Sequence, residues 1–230
     1  TAFEAARIAL KYMTPVIMLS DGYLANGAEP WMIPDVTSLP DISPRFRTDP
    51  TDFQPYSRDE KTLARPWAIP GTPGLEHRVW GLEKQHLTGN VSYDAENHEF
   101  MIRMRQAKID GIANELPPAT VDGDQRGDLL VVGWGGTYGA IRTAVEACRA
   151  AGKSVSHLHL KYLNPFQNNL GEILYNFKQV LVPELNLGQL SKILRSKFLV
   201  PVISLNKIQG LPFRADEIER KIDELLNDRS

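Results

Sequence analysis

Arg65 is the side chain whose surroundings most clearly suggest ligand chemistry. It opens the segment of residues 65–71, with sequence RPWAIPG, in which two prolines restrict the backbone. A guanidinium held in such a loop can bind a carboxylate through two parallel hydrogen bonds. An arginine in a loop is also commonly just exposed to solvent, so the local sequence leaves both interpretations open.

A glycine-rich turn at residues 133–139, with sequence GWGGTYG, follows an apolar run and precedes a helical pattern. Free backbone amides at the start of a helix suit a phosphate group, as in dinucleotide-binding folds. However, the next apolar run ends in His159-Leu160-Lys161, without the acidic residue that holds a ribose, and Trp134 stands where a small residue is usual. The pattern therefore favours a close strand-to-helix packing turn over a nucleotide site.

Three asparagines, Asn164, Asn186 and Asn206, follow three successive apolar runs, and Glu184 lies beside the second asparagine. Side chains at the carboxyl ends of parallel strands can share a polar crevice or a subunit interface. Asparagine also commonly forms Asx turns at such points. We expect turns at these positions, and the role of the three residues stays open.

Histidine and cysteine usage limits the metal chemistry of this chain. His157 and His159 alternate along a predicted strand and could form a metal pair, but no third ligand lies nearby in the sequence. The single cysteine, Cys148, excludes a disulfide framework, and it excludes a zinc or iron–sulfur site built on several thiolates of this chain. Its position on an apolar helix face predicts a buried core thiol.

The charge balance is nearly even, with 26 basic and 28 acidic side chains and a formal net charge of -2. Because no basic field is present, nucleic-acid binding is disfavoured, and Arg103, Arg105 and Lys108 indicate a solvated or interface helix face rather than a phosphate site. No apolar run reaches the roughly 18 residues that a membrane span needs. The first ten residues, TAFEAARIAL, do not resemble a signal peptide. We expect a cytoplasmic protein without membrane or nucleic-acid partners.

The first half of the sequence predicts a helix over residues 3–13 and, after Pro15, a buried strand over residues 16–19. Residues 30–73 contain nine of the sixteen prolines together with several aromatic residues, which predicts an ordered covering arm without helices or central strands. A helix is predicted over residues 98–114. Because the chain begins without methionine inside a helical pattern, we expect a C-terminal piece of a longer polypeptide.

The second half alternates four apolar runs with four helical patterns, which predicts βαβ units and a parallel sheet covered on both faces. The predicted fold class is therefore α/β. Asp216 and Glu219 have capping-box spacing at the start of the last helix. The predicted strands and helices lie at residues 129–132, 141–148, 154–160, 170–177, 180–182, 190–198, 202–205 and 216–226.

Several segments together resemble the alpha subunit family of 2-oxoglutarate:ferredoxin oxidoreductases, which belong to the 2-oxoacid:acceptor oxidoreductases. The resemblance covers almost the whole chain and is carried by residues 7–23, 64–77, 88–93, 129–139 and 181–190. It implies a thiamine diphosphate enzyme that decarboxylates 2-oxoglutarate, passes two electrons through an iron–sulfur cluster to ferredoxin and forms succinyl-coenzyme A. Residues 1–120 would be the C-terminal part of a pyrimidine-binding domain with its proline-rich covering arm. Residues 128–230 would be a transketolase C-terminal-like domain.

The resemblance also implies which groups this chain does not hold. The glutamate of the family that activates the aminopyrimidine would lie upstream of Thr1, and Ser20-Asp21-Gly22 is not the family's magnesium-diphosphate motif. Thiamine diphosphate, Mg2+ and the iron–sulfur cluster are thus expected mostly on a beta subunit, with no cofactor held and no catalytic residue supplied by this chain alone. The expected partners are this beta subunit, a second alpha–beta unit, ferredoxin, 2-oxoglutarate and coenzyme A.

By the same resemblance the arm covers the thiamine site, so Arg65 is expected to bind the distal carboxylate of the oxo acid. His77 is expected to form a second polar wall of that pocket. Two other functions stay open from the residues alone. One is a noncatalytic subunit-pairing module, and the other is a fragment of an NAD(P)-binding dehydrogenase.

Overall fold

The computed structural model describes residues 1–79 and 81–227 of the 230-residue chain. These residues form two compact units. The first comprises residues 1–18 and 30–116, and the second comprises residues 19–29 and the chain from residue 117 onward. None of the helices in the described ranges is long and apolar enough to cross a membrane.

Three helices precede the sheet in the chain: α1 (Ala2–Tyr12), α2 (Gly22–Ala25) and α3 (Ala95–Ile112). In the first unit, α1 ends where Met13 adopts a left-handed conformation, with φ of 46°. The helix α3 begins after Asp94, whose carboxylate accepts a hydrogen bond from the Asn97 backbone N–H at 2.7 Å. The two long helices predicted in this half of the chain are therefore confirmed.

The segment between α1 and α3 is mostly irregular, as its proline content predicts. Besides the short α2, its only helix among the described residues is a 3-10 turn, Val36–Ser38, and the segment contains an isolated bridge between Phe46 and Trp67. The Trp67 indole Nε1 donates a hydrogen bond to the Leu10 carbonyl at 3.0 Å. This bond attaches the irregular segment to α1, so the segment has defined contacts without regular secondary structure.

The predicted buried strand over residues 16–19 is wrong. These residues have no strand partner among the described residues, and Ile17 and Leu19 are 83% and 62% exposed. An apolar run becomes a strand only where a neighbouring strand can pair with its backbone, and the sequence does not show that partner. After this run, the Asp21 carboxylate accepts a hydrogen bond from the Leu24 N–H at 2.9 Å and begins α2.

The second unit is built on one five-stranded sheet with the spatial order β1-β3-β2-β4-β5. Strands β2 to β5 are mutually parallel where they pair, and β1 runs antiparallel to β3. The predicted α/β fold with four parallel strands is confirmed, whereas β1 is too short to leave a pattern in the sequence. The strands are β1 (Val121–Asp122), β2 (Gly127–Trp134), β3 (Val155–Leu160), β4 (Phe177–Glu184) and β5 (Val202–Asn206).

Four helices cover the two faces of this sheet: α4 (Tyr138–Ala150), α5 (Leu170–Tyr175), α6 (Gln189–Phe198) and α7 (Ala215–Asn227). Apolar residues of α4 and α7 form one core with one face of the strands, and those of α5 and α6 form a second core with the other face. Consecutive residues Leu129 to Val132 are fully buried because they alternate between these two cores. This burial explains the continuous apolar runs in the sequence.

Two local predictions in this unit are wrong. Phe177, assigned to a helix face, is the first residue of β4, because α5 already ends at Tyr175. The carboxylate that caps the last helix belongs to Glu217, which accepts a hydrogen bond from the Arg214 N–H at 2.8 Å, and not to the predicted pair at 216 and 219. Since α7 begins at Ala215, Glu217 occupies its third position, where a carboxylate can reach back to the capping residue.

Candidate functional site

Arg65 is held by an aromatic ring and by a backbone carbonyl, and its guanidinium has no carboxylate partner in the part of the chain that the structure describes. Its guanidinium carbon lies 4.5 Å from the centre of the Tyr56 ring, within the distance of a cation–π interaction. Nη1 donates a long hydrogen bond of 3.5 Å to the Pro55 carbonyl. No carboxylate of the described residues lies within 4.0 Å of it. The stacking on Tyr56 orients the guanidinium, while most of its N–H donors stay available to a ligand.

A cavity of about 800 Å³ lies beside this arginine, entirely within the first unit. Its walls come from α1 and from the irregular segment, and they combine apolar surface with arginine side chains. A carboxylate or phosphate ligand of small-molecule size fits this volume. The lining includes Leu10, Phe53, Arg58, Arg65 and Trp67.

His77 reaches this cavity only indirectly. Its ring contacts Phe53 edge-on with the centroids 5.4 Å apart, and Phe53 itself lines the cavity. The Nδ1 atom donates a hydrogen bond to the Leu75 carbonyl at 2.7 Å, which leaves Nε2 as an acceptor in the neutral ring. A carboxylate needs a donor, so His77 must be protonated to play the predicted role.

Arg58 also lines the cavity, and it was not predicted as a site residue from the sequence. Its guanidinium carbon lies 6.0 Å from the ring centres of both Tyr56 and Phe100, and Nη2 donates to the Met101 sulfur at 3.1 Å. Burial lowers the pKa of this guanidinium, and the charge of Arg65 lowers it further. Nothing in the local sequence distinguishes Arg58, because the path of the loop brings it to the same ring as Arg65.

Lys108 on α3 is a third cation near these two. Burial lowers the pKa of its ammonium to about 8, and the positive charges of Arg65 and Arg58 act in the same direction. The predicted helix face was either solvated or an interface, and the solvated alternative does not describe Lys108, which is partly buried. It holds for Arg103 and Arg105, which are exposed and form ion pairs.

The glycine turn packs closely against its own unit, as predicted. A Cβ atom on Gly133 would lie 2.5 Å from the Ile141 Cδ1 atom and 3.0 Å from the Thr137 hydroxyl. The carboxylate of Asp21 lies so close to Gly136 that a Cβ there would overlap it. This turn thus presents a carboxylate at the point where a nucleotide phosphate would need a neutral or positive surface.

Glu184 is completely buried at the end of β4 and holds the start of α6. Its two carboxylate oxygens accept hydrogen bonds from the Leu190 N–H at 2.8 Å, the Ser191 N–H at 3.0 Å and the Ser191 hydroxyl at 2.9 Å. Asn186 donates to the same carboxylate at 3.1 Å. The donors Leu190 and Ser191 belong to the first turn of α6, so the Glu184 carboxylate stabilises the start of that helix.

The asparagines after the strands act locally. The Asn186 side-chain oxygen accepts hydrogen bonds from the Gly188 and Gln189 N–H groups at 2.8 and 2.9 Å, which confirms a turn role for this residue. The Asn206 side-chain oxygen accepts a hydrogen bond from the Ser204 hydroxyl at 2.7 Å. Asn164 lies in the loop after β3.

The two histidines of β3 share a face of the sheet beneath Tyr138. The Tyr138 ring centre is 5.6 Å from that of His157 and 5.0 Å from that of His159. The buried atoms His157 Nε2 and His159 Nδ1 have no hydrogen-bond partner among the described residues. Within the described ranges no cluster of three or more His, Cys, Asp or Glu residues could hold a metal ion. Cys148 is buried, as predicted, and burial raises the pKa of its thiol.

Two family models match the chain. Residues 1–96 match the model described as pyruvate flavodoxin/ferredoxin oxidoreductase, thiamine diphosphate-binding, and residues 127–218 match pyruvate:ferredoxin oxidoreductase core domain II.

Individual relatives agree with these models. The chain is 56% identical over 224 residues to the 2-oxoglutarate oxidoreductase subunit KorA of Mycobacterium tuberculosis, a match that covers 96% of this chain and 34% of the relative. It is similar to the solved 2-oxoglutarate:ferredoxin oxidoreductase of Magnetococcus marinus, which has 2-oxoglutarate, coenzyme A and succinyl-CoA bound, with a TM-score of 0.88 and 31% identity. That match covers 96% of this chain and 39% of the solved chain. The chain thus spans little more than a third of the length of either relative.

Proposed function

Because the chain belongs to the family of 2-oxoacid:ferredoxin oxidoreductase alpha subunits, we propose that it is part of a thiamine diphosphate-dependent enzyme that oxidatively decarboxylates 2-oxoglutarate to succinyl-CoA and reduces ferredoxin. The observation that carries this proposal is the 56% identity, over nearly the whole chain, to a subunit named for 2-oxoglutarate oxidation. The solved relative with 2-oxoglutarate bound supports the same substrate.

Within this function, Arg65 binds the distal carboxylate of the oxo acid. Its guanidinium is fixed against Tyr56, lines a cavity of suitable volume and has no carboxylate partner among the described residues. An oxo acid that carries a second carboxylate requires a cation when that group leaves water, whereas pyruvate does not. His77, which contacts the cavity-lining Phe53 edge-on, is the second polar group proposed for this pocket.

The cofactors are assigned to the assembled enzyme. The described residues do not fit a magnesium-diphosphate or iron–sulfur site, because they contain no cluster of metal ligands and their one cysteine is buried in a core. We therefore assign no ligand of this chain to Mg2+ or to a cluster, and we derive no catalytic step through them. A beta subunit that carries the diphosphate and the cluster, a second alpha–beta unit, ferredoxin and coenzyme A complete the proposed assembly. A cytoplasmic location remains a prediction.

Two other functions fit the structure less well. A nucleotide-binding dehydrogenase fragment is disfavoured because the Asp21 carboxylate lies against Gly136 in the turn that would receive the phosphate. A noncatalytic pairing module would have no reason to keep unpaired arginines beside a cavity, since burying such charges is costly.

The test uses the assembled enzyme with coenzyme A and follows reduction of a viologen dye. The control substrate is 2-oxopentanoate, which carries a methyl group where 2-oxoglutarate has its distal carboxylate. A hydrogen bond to a charged group contributes about 1.5–3 kcal/mol, so Arg65→Met should lower kcat/KM for 2-oxoglutarate by roughly 10- to 150-fold and shift preference toward 2-oxopentanoate. An equal fractional loss with both substrates would mean that Arg65 supports the loop or the thiamine site rather than the carboxylate.

A further inference from the structure

The first unit concentrates unpaired positive charge at one place. Arg58 and Arg65 both lie against the Tyr56 ring and line the same cavity. Their recorded hydrogen bonds go to the Tyr56 carbonyl, the Pro55 carbonyl and the Met101 sulfur, and none goes to a carboxylate. Two guanidinium groups thus share one aromatic ring with no neutralising partner in the described part of the chain.

Lys108 adds a third charge from α3. Arg58 contacts Met101, and Lys108 follows Met101 by two helical turns on the same face of that helix. Its Nζ atom donates one long hydrogen bond, 3.5 Å to the Met13 carbonyl. No described carboxylate forms an ion pair with it, and the charges of both arginines act on it.

Several other cations of the same unit form ion pairs. On α3, Arg103 pairs with Glu99, and Arg105 lies 3.5 Å from Glu83. On α1, Lys11 pairs with Glu115 at 2.6 Å. The unit therefore contains several carboxylates, but none of those described forms an ion pair with Arg58, Arg65 or Lys108.

Like charges that are partly removed from water repel each other, and this repulsion disfavours the folded unit unless an anion compensates for it. The acidic residues on the cavity wall are Asp41, Asp52 and Asp59, and none of them forms an ion pair with Arg58 or Arg65 in the described part of the chain. Two of these carboxylates accept hydrogen bonds within their own turns, Asp41 from the Ser43 N–H and Asp59 from the Lys61 and Thr62 N–H groups. The arrangement is that of a binding site for a small, negatively charged group.

We propose that Arg58 and Lys108 act with Arg65 as a three-cation subsite for the distal carboxylate, and that both are specificity-determining residues for dicarboxylic 2-oxo acids. Arg65 contacts the carboxylate, and the other two supply the positive potential that compensates for its loss of water. This inference rests on the proposed function and extends it to two residues of the cavity wall and α3.

The experiment measures kcat and KM of the assembled enzyme for 2-oxoglutarate and 2-oxopentanoate, with Arg58→Met and Lys108→Met as variants. Each should raise KM for 2-oxoglutarate by roughly 3- to 30-fold with kcat nearly unchanged, and should leave KM for 2-oxopentanoate within about twofold. Lys108→Arg, which keeps the charge, should restore most of the affinity. Arg103→Met is the matched control, because it removes one charge from the same helix that is already paired, and it should change neither KM.

Inhibition by glutarate gives a binding readout that does not depend on turnover. Glutarate should inhibit the wild-type enzyme competitively and more tightly than pentanoate does, and Lys108→Met should reduce that difference by roughly 3- to 30-fold. Equal effects of the variants on both oxo acids, or a Lys108→Met effect no larger than that of Arg103→Met, would overturn the inference while leaving the enzyme's function intact. Failure of the wild-type enzyme to oxidise 2-oxoglutarate would instead overturn the proposed function.

Discussion

The buried histidine His157 predicts that the second unit loses stability in mild acid. His157 is only 2% exposed in β3, and burial, together with the neighbouring His159, lowers its pKa from 6.5 to about 4. The other charges that act on it are those of Asp122, which raises the pKa, and Arg142, which lowers it. The unfolded chain therefore takes up this proton at a higher pH than the folded chain does.

The size of the effect follows from the difference between the two pKa values. One pKa unit corresponds to about 1.4 kcal/mol, so the full difference corresponds to about 3 kcal/mol. This contribution is complete above pH 6.5 and is lost as the pH falls toward 4, because only the unfolded state binds the proton in that window. Between about pH 7.5 and about pH 4.5 the expected loss from His157 is about 2.5 kcal/mol. His159, whose pKa burial also lowers, acts in the same direction.

The assay is urea denaturation of the chain at these two pH values, for the wild type, His157→Phe and His157→Leu. Each variant is compared with itself at the two pH values, so any change in packing cancels. The free energy of unfolding should fall by about 2.5 kcal/mol less in the variants than in the wild type. Identical pH dependence in the wild type and both His157 variants would refute the reasoning.

Three further predictions follow from the described contacts. Glu184→Gln should lower the free energy of unfolding by roughly 1–3 kcal/mol, because the NH2 of the new amide faces N–H donors at the start of α6. The control Glu146→Gln, on an exposed surface, should change it by less than about 0.5 kcal/mol. Gly133→Ala should lower the free energy of unfolding, measured in urea titrations, by about 1–3 kcal/mol, because the new Cβ overlaps Ile141 Cδ1. Adding Ile141→Val, which removes that atom, should recover part of the loss. If the beta subunit holds the diphosphate, calorimetry of this chain with thiamine diphosphate and Mg2+ should detect no micromolar binding, and such binding would relocate the cofactor ligands to this chain.

The sheet of the second unit was predictable because burial on both faces leaves an unambiguous sequence pattern. A continuous apolar run such as residues 129–132 can bury all of its side chains in a strand that is covered on both faces. Between these runs, apolar residues recur with the spacing of a helix. The run at residues 16–19 has the same composition but is exposed, because its strand would need a pairing partner that composition does not reveal. The pair Val121–Asp122 was missed for the opposite reason, since two residues carry no periodicity.

The candidate site was predictable only in part. Arg65 stands out locally because prolines and an aromatic residue surround it. Arg58 and Lys108 do not, since their importance comes from the tertiary fold, which places Arg58 against Tyr56 and exposes Lys108 to the charges of both arginines. Pattern analysis placed Lys108 on the same solvated face as Arg103. Only the ion pair of Arg103 with Glu99, and the lack of one at Lys108 among the described residues, separates the two.

The measurement that tests the central claim most directly is the product balance of the assembled enzyme under anaerobic conditions, with 2-oxoglutarate, coenzyme A and ferredoxin. We expect succinyl-CoA and carbon dioxide in equal amounts, with two electrons delivered to ferredoxin for each 2-oxoglutarate consumed and no reduction of NAD. Reduction of NAD, or consumption of 2-oxoglutarate without succinyl-CoA and reduced ferredoxin, would contradict the proposed function.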